Sequence, residues 1–211
     1  KITASDGHSI GTSVSISGGH LLIGAPSDND IATNSGAAYL YRLNPATGSF
    51  VEKKITASDG AANDQFGYSV SISGDNIFIG APFDNVGGSD SGAVYLFRID
   101  PSDGSLVETK ITASDGEALD NFGESVSISG DNLLVGAKGD QGAGVNTGAA
   151  YLYRVNPADG SYVETKIIAG DATSGAHFGS NVSISGDGFL VGAKGDDENG
   201  VDSGAVYLYR I

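Results

Sequence analysis

The chain is 211 residues long, with 33 Gly, no Cys, Met or Trp, and 26 acidic against 11 basic side chains, a formal net charge of −15. Without cysteine there is no disulfide framework, thiolate metal site or cysteine nucleophile, and the acidic excess disfavours nucleic acid while favouring cations or basic surfaces as partners. No apolar run approaches the roughly 20 residues a bilayer span needs, so no membrane insertion is expected, and a 39% hydrophobic fraction suits a chain that buries a core.

In chain order the first feature is a repeat. KITASDG begins at Lys1, Lys54 and Lys110, and the variant KIIAGDA at Lys166. These divide one domain, 1–211, into units 1–53, 54–109, 110–165 and 166–211. Each unit resolves into four short segments separated by Gly, Asp, Asn and Pro clusters, the punctuation of antiparallel strands. The first, Val70-Ser71-Ile72-Ser73, alternates apolar with small polar residues, as a strand with one wet face does. The second and third, Ile77-Phe78-Ile79-Gly80-Ala81 and Ala93-Val94-Tyr95-Leu96-Phe97, are almost continuously apolar and belong in the middle of a sheet. The fourth, Leu106-Val107-Glu108-Thr109-Lys110-Ile111, alternates charge with apolar residues and suits an outer edge.

A four-stranded sheet repeated radially is a propeller blade. The expected fold is therefore all-β: a β-propeller of four blades of four antiparallel strands. The chain opens inside the fourth-strand motif at Lys1-Ile2-Thr3-Ala4 and stops after the third strand of the last unit, at Tyr207-Leu208-Tyr209-Arg210-Ile211. Closure by the N-terminal strand joining the last blade is expected. The alternative is a segment of a larger ring, or two chains making one ring of eight.

Phe66-Gly67, Phe122-Gly123 and Phe178-Gly179, each followed by Gly80-Ala81-Pro82, Gly136-Ala137-Lys138 or Gly192-Ala193-Lys194, give the chain a pattern that resembles FG-GAP repeats, the blades of integrin alpha subunits and of many bacterial secreted and surface proteins. In the first unit Ile10-Gly11 stands for the Phe-Gly pair, and its lead-in is three residues shorter than Ser58 to Gly67. The resemblance implies an extracellular or cell-surface binding or adhesion module, often calcium-dependent. The integrin-type DxDxDG loop between the first two strands is missing. That link is only Gly74-Asp75-Asn76 or its equivalent, too few oxygens for calcium's six to eight ligands.

Sorting the loops by strand direction puts 16 of the 26 acids on one face, with six on the other and four on strands. On the acidic face an acid follows each Gly-Ala motif and an Asx precedes Ser-Gly or Thr-Gly: Asp28 and Asp30 before Asn34, Asp84 before Asp90, Asp140 before Asn146, Asp196 before Asp202. Such a loop can wrap oxygens around calcium, or its Asx residues can cap turns through backbone N–H groups. Asp59 with Asp64 and Asp115 with Asp120 form a second group of candidate ligand-binding residues, and Ala176 replaces the later Asp in the fourth unit. Arg42, Arg98 and Arg154 are expected to pair with Glu52, Glu108 and Glu164 across the outer hairpins. His8, His20 and His177 read as solvated, and the sequon Asn181-Val182-Ser183 falls on an inner strand, which argues against glycosylation. A repeated aspartate suggests a repeated binding or structural role, whereas an active site breaks symmetry, so no enzyme is expected. The expectation is a protein or carbohydrate ligand at the acidic face with calcium assistance; the alternatives are a structural unit of a self-assembling, homo-oligomeric or longer surface protein, and a propeller lectin.

Overall fold

The computed structural model describes residues 1–142, 144–156 and 159–211. Among these, fifteen strands form four antiparallel sheets. The first holds β1 (Val14–Ser17), β2 (His20–Ala25), β3 (Ala37–Leu43) and β4 (Phe50–Ile55). The second holds β5 (Ser69–Ser73), β6 (Asn76–Ala81), β7 (Ala93–Ile99) and β8 (Leu106–Ile111), and the third β9 (Ser125–Ser129), β10 (Asn132–Ala137), β11 (Ala149–Val155) and β12 (Tyr162–Ile167). The fourth has three strands, β13 (Phe178–Ser185), β14 (Gly188–Ala193) and β15 (Ala205–Arg210).

Local chemistry explains each blade. Ser73 faces Asn76 across a two-residue turn in which Gly74 takes a φ of 58°. Glycine at the first turn position suits the type II′ geometry whose twist matches a hairpin. The nearly unbroken apolar runs of β6 and β7 are buried along almost their whole length, while β8 alternates exposed and covered residues as an outer strand does.

The joints between blades bring together the two motifs that name the resemblance. Phe122 is fully buried and meets Tyr151 and Tyr153 edge-on, with centroids 5.3 and 6.1 Å apart. The carbonyl of the following Gly123 lies against Gly80 of the preceding blade, so close that a Cβ at Gly80 would come 2.0 Å from it. Ser69 Oγ donates to the same carbonyl at 2.7 Å. Gly67 on Gly24 and Gly179 on Gly136 repeat this joint. The polar face expected to be wet on the first strands is instead a seam: the hydroxyls of Ser15, Ser71 and Ser127 each accept the backbone N–H of Ile72, Ile128 or Ile184 in the next blade, all at 3.1 Å.

The expected closure by the N-terminal strand is not present. Ile2 and Ala4 pack on Ala25, Ala37 and Tyr39 of the first sheet, and β15 keeps a bare outer edge. Lys1-Ile2, which matches Lys54-Ile55 of β4 in sequence, forms no ladder with β15 among the described residues. The arc is open at both ends. Val14 and Ile16 are 69% and 70% exposed where Val70 and Ile72 are 7% and 5%, and Val206 and Leu208 are each 69% exposed where Val94 and Leu96 are 0% and 5%.

Candidate functional site: the acidic loop face

On each third strand one tyrosine points its hydroxyl between two carboxylates. Tyr95 Oη lies 2.8 Å from Asp59 and 3.0 Å from Asp84; Tyr151 lies 2.8 Å from Asp115 and 2.7 Å from Asp140. Tyr39 holds Asp6 and Asp28 in the same way, and Tyr207 holds Asp171 and Asp196. One hydroxyl proton cannot satisfy two adjacent anions. In three blades a lysine from the outer strand completes the cluster: Lys110 Nζ is 2.7 Å from both Asp59 and Asp84, Lys166 is 2.7 Å from both Asp115 and Asp140, and Lys54 bonds Asp6, Asp28 and Asp30. The fourth blade has no outer strand, and no described cation lies within 4 Å of Asp171 or Asp196.

The Asp28, Asp84, Asp140 and Asp196 carboxylates have a second duty. The Oδ1 of each accepts the N–H two residues on, at Asp30, Val86, Gly142 and Glu198, closing an Asx turn. Their six-residue partners behave differently. Asn34, Asp90, Asn146 and Asp202 sit at φ of 51° to 55°, a region that favours Asx over other non-glycine residues. In the first three blades their carbonyls accept an N–H of the next blade, as Asp90 does from Asn121 at 3.1 Å, and the Asn34 side chain also donates to Asn63 Oδ1 at 3.3 Å.

Asp59 and Asp64, expected together, part company. Asp59 joins Asp84, whereas buried Asp64 accepts the Ala61 N–H at 2.7 Å; Asp115 and Asp120 divide likewise, Asp120 accepting from Glu117. Their electrostatics divide too. Burial works against ionising Asp59 and Asp115, but the lysine and the tyrosine hydroxyl outweigh it and hold both below the usual carboxylate range. Asp64 and Asp120 are pushed up, by burial first and by the neighbouring Asp84 or Asp140 in addition.

Three expectations are corrected. His8 is not a solvated residue: the shortened first lead-in places its Nδ1 3.2 Å from Asp6 and 3.1 Å from Asp28. The arginines do not pair with the hairpin glutamates, because the register sets Tyr41, Phe97 and Tyr153 opposite Glu52, Glu108 and Glu164. The glutamates hold Ser5, Ser58 and Ser114 of their own blade's lead-in instead, and Arg42 donates to His20. Asn181 is exposed, since no blade covers β13.

Among the described residues, the one group of three or more potential ligands whose atoms converge within 4.8 Å is Asp6, His8, Asp28 and Asp30. Lys54 already supplies its cation. In the first three blades the residues therefore fit a lysine ammonium where calcium was expected. Sequence reasoning missed these lysines, although the signal was visible: Lys and Asp recur five residues apart in K-I-T-A-S-D, and the third-strand tyrosine recurs with them.

The sequence matches the FG-GAP repeat family over residues 1–41, 50–97, 106–153 and 163–209. Among solved structures it is similar to the crystal structure of Saccharomyces cerevisiae Sqt1, with 11% identity and a TM-score of 0.50 over 89% of this chain and 43% of that one, a likeness of fold. The chain thus spans less than half of that structure. It belongs to the FG-GAP repeat family.

Proposed function

We propose that this FG-GAP repeat chain is the binding module of a secreted or cell-surface protein, and that its acidic loop face engages a cationic partner, either a basic protein surface or a positively charged glycan. The observation that carries this reading is the set of rim carboxylates that no lysine reaches. Asp90, Glu117, Asp197, Glu198 and Asp202 have no described ammonium or guanidinium within 4 Å, and they lie on the same rim as the lysine-bound clusters. With a chain charge of −15 the rim attracts basic ligands and speeds their encounter at low salt. Membership of a family typical of extracellular and surface proteins supports the localisation.

Calcium assistance belongs to this reading with a restriction. At Asp84 and Asp140 the ion must displace a lysine, whereas at Asp196 it meets no described cation. Thermal melts in EDTA, calcium and magnesium, together with titration of a fluorescent oligolysine peptide, test the proposal. The expected result is oligolysine binding that weakens as salt rises past about 0.1 M, with any calcium-specific rise in Tm lost in Asp196→Asn. Absence of oligolysine binding at low salt overturns the reading.

A further inference from the structure

Each third strand carries an arginine near its end, but among the three blades with an outer strand only the first sets a lysine on the same face. The register places Arg42 opposite Val51 and Leu40 opposite Lys53, so these four side chains share one face of the first sheet. Lys53 breaks the repeat. Thr109 and Thr165 hold the corresponding positions, opposite Leu96 and Leu152. A position that departs from the repeat is a candidate for a role that the other blades do not share.

The facing wall belongs to the second blade. Between the two lies a cleft of about 160 Å³, floored by buried Leu40 and Ile99 and edged by Arg42, Lys53 and the Asp103-Gly104 turn. Both walls are internal to the chain, between its first and second sheets, on the face opposite the acidic rim. Lys53 Nζ donates one proton to the Gly104 carbonyl at 3.1 Å, which leaves two. Arg42 donates through Nε to His20 Nε2 at 3.1 Å. Burial first, and the guanidinium second, hold His20 below its usual pKa, so the imidazole acts as a neutral acceptor. That bond leaves both terminal nitrogens of Arg42 free at the cleft, where a Cβ added at Gly104 would find Nη1 at 3.8 Å. The one carboxylate on the wall, Asp103, is turned into its own hairpin, its Oδ1 accepting the Ser105 N–H at 2.8 Å. Among the described residues no carboxylate lies within 4 Å of either cation, in a chain with 26 acidic side chains.

We propose that this cleft binds a carboxylate carried on a short hydrocarbon stem. The guanidinium offers a planar fork that matches a carboxylate bidentately, the ammonium adds a point charge, and the apolar floor takes the stem. Inorganic phosphate or sulfate would leave that floor uncovered, and a second negative charge meets the repulsion of a chain at −15. The site is separate from the rim's cationic partner and does not depend on it.

NMR of the isotope-labelled 211-residue chain tests the proposal through the Arg42 Nε–H resonance, titrated with sodium butanoate against sodium chloride. The expected result is a saturable shift at Arg42 with a dissociation constant below roughly 10 mM, and none at Arg98 or Arg154, which have threonine in place of the lysine. Lys53→Thr, which installs the residue of the other blades, should weaken binding about tenfold with Tm unchanged. Arg42→Lys keeps the charge, loses the fork, and should weaken butanoate binding as read at the neighbouring Gly104 amide. A blocked Gly-Glu-Gly tripeptide carries the same chemistry as a side chain: tighter binding than butanoate assigns the cleft to a partner's glutamate, weaker binding to a free acid. No saturable shift up to about 50 mM butanoate, a shift retained in Lys53→Thr, or an equal response to inorganic phosphate overturns the inference.

Discussion

At the scale of single residues, Lys110 shows how the acidic face tolerates its own charge. Its ammonium bridges a nearly buried carboxylate, Asp84, and a half-exposed one, Asp59. Breaking a buried pair costs about 3–5 kcal/mol, and partial exposure of Lys110 and Asp59 reduces this, so Lys110→Met should destabilise the protein by about 1–3 kcal/mol at neutral pH in urea unfolding. Acid should erase the difference as Asp59, held low by Lys110 in the native protein, takes up its proton. The pH profile of the native protein follows from two opposed sets of aspartates. Asp28, Asp59 and Asp115 are held below the usual range, so their stabilisation is present above about pH 4 and is lost as pH falls through their folded values. Asp64 and Asp120 are pushed up, so their contribution is full below about pH 4 and is lost as pH rises through their folded values. Stability should therefore rise on mild acidification from neutral pH and fall on further acidification. Urea midpoints at stepped pH check this, and Asp64→Asn should flatten the rise without altering the fall.

At the scale of elements, each joint couples a strand end in one blade to the lead-in of the next. Gly80→Ala drives a Cβ to 2.0 Å from the Gly123 carbonyl, a backbone group with no flexible end to yield. The second and third blades must part, and the variant should lose several kcal/mol, more than the roughly 1 kcal/mol of a typical substitution. Gly192→Ala, where the nearest atom to the added Cβ is 3.6 Å away, should cost the chain far less than Gly80→Ala in urea unfolding. Phe122→Ala empties the centre of the same joint, where the ring touches two tyrosines, and should cost about 3–5 kcal/mol by thermal or urea unfolding. If Phe122→Ala instead cost under about 1 kcal/mol, the buried core that the second and third blades share would not depend on its ring.

At the scale of the whole molecule, 26 acidic groups share an open arc with 11 basic ones. Self-repulsion opposes the compact state, and salt screens it over about 10 Å at 0.1 M, while the part-buried lysine clusters are screened less. Adding sodium chloride up to about 0.5 M should raise Tm. A fall would place the lysine–aspartate pairs, and not the net charge, in control of stability.

The repeat and the period of each strand determined much of this molecule before any tertiary contact was known. Gly74 specified its hairpin turn, the apolar runs of β6 and β7 specified the sheet centre, and Phe122-Gly123 with Gly80-Ala81 marked the joint, because backbone preference and burial period act within a few residues. Other properties belong to the tertiary structure. Asp59 meets Lys110 across 51 residues, and no local pattern tells that it prefers Asp84 to Asp64. The serines of the inner strands look solvent-facing by alternation, and only the approach of the next blade makes them a seam. Whether blades close depends on the rotation accumulated between sheets, a quantity that no single unit carries, and this is why the repeat pattern alone left a closed ring of four and a segment of a larger ring both open.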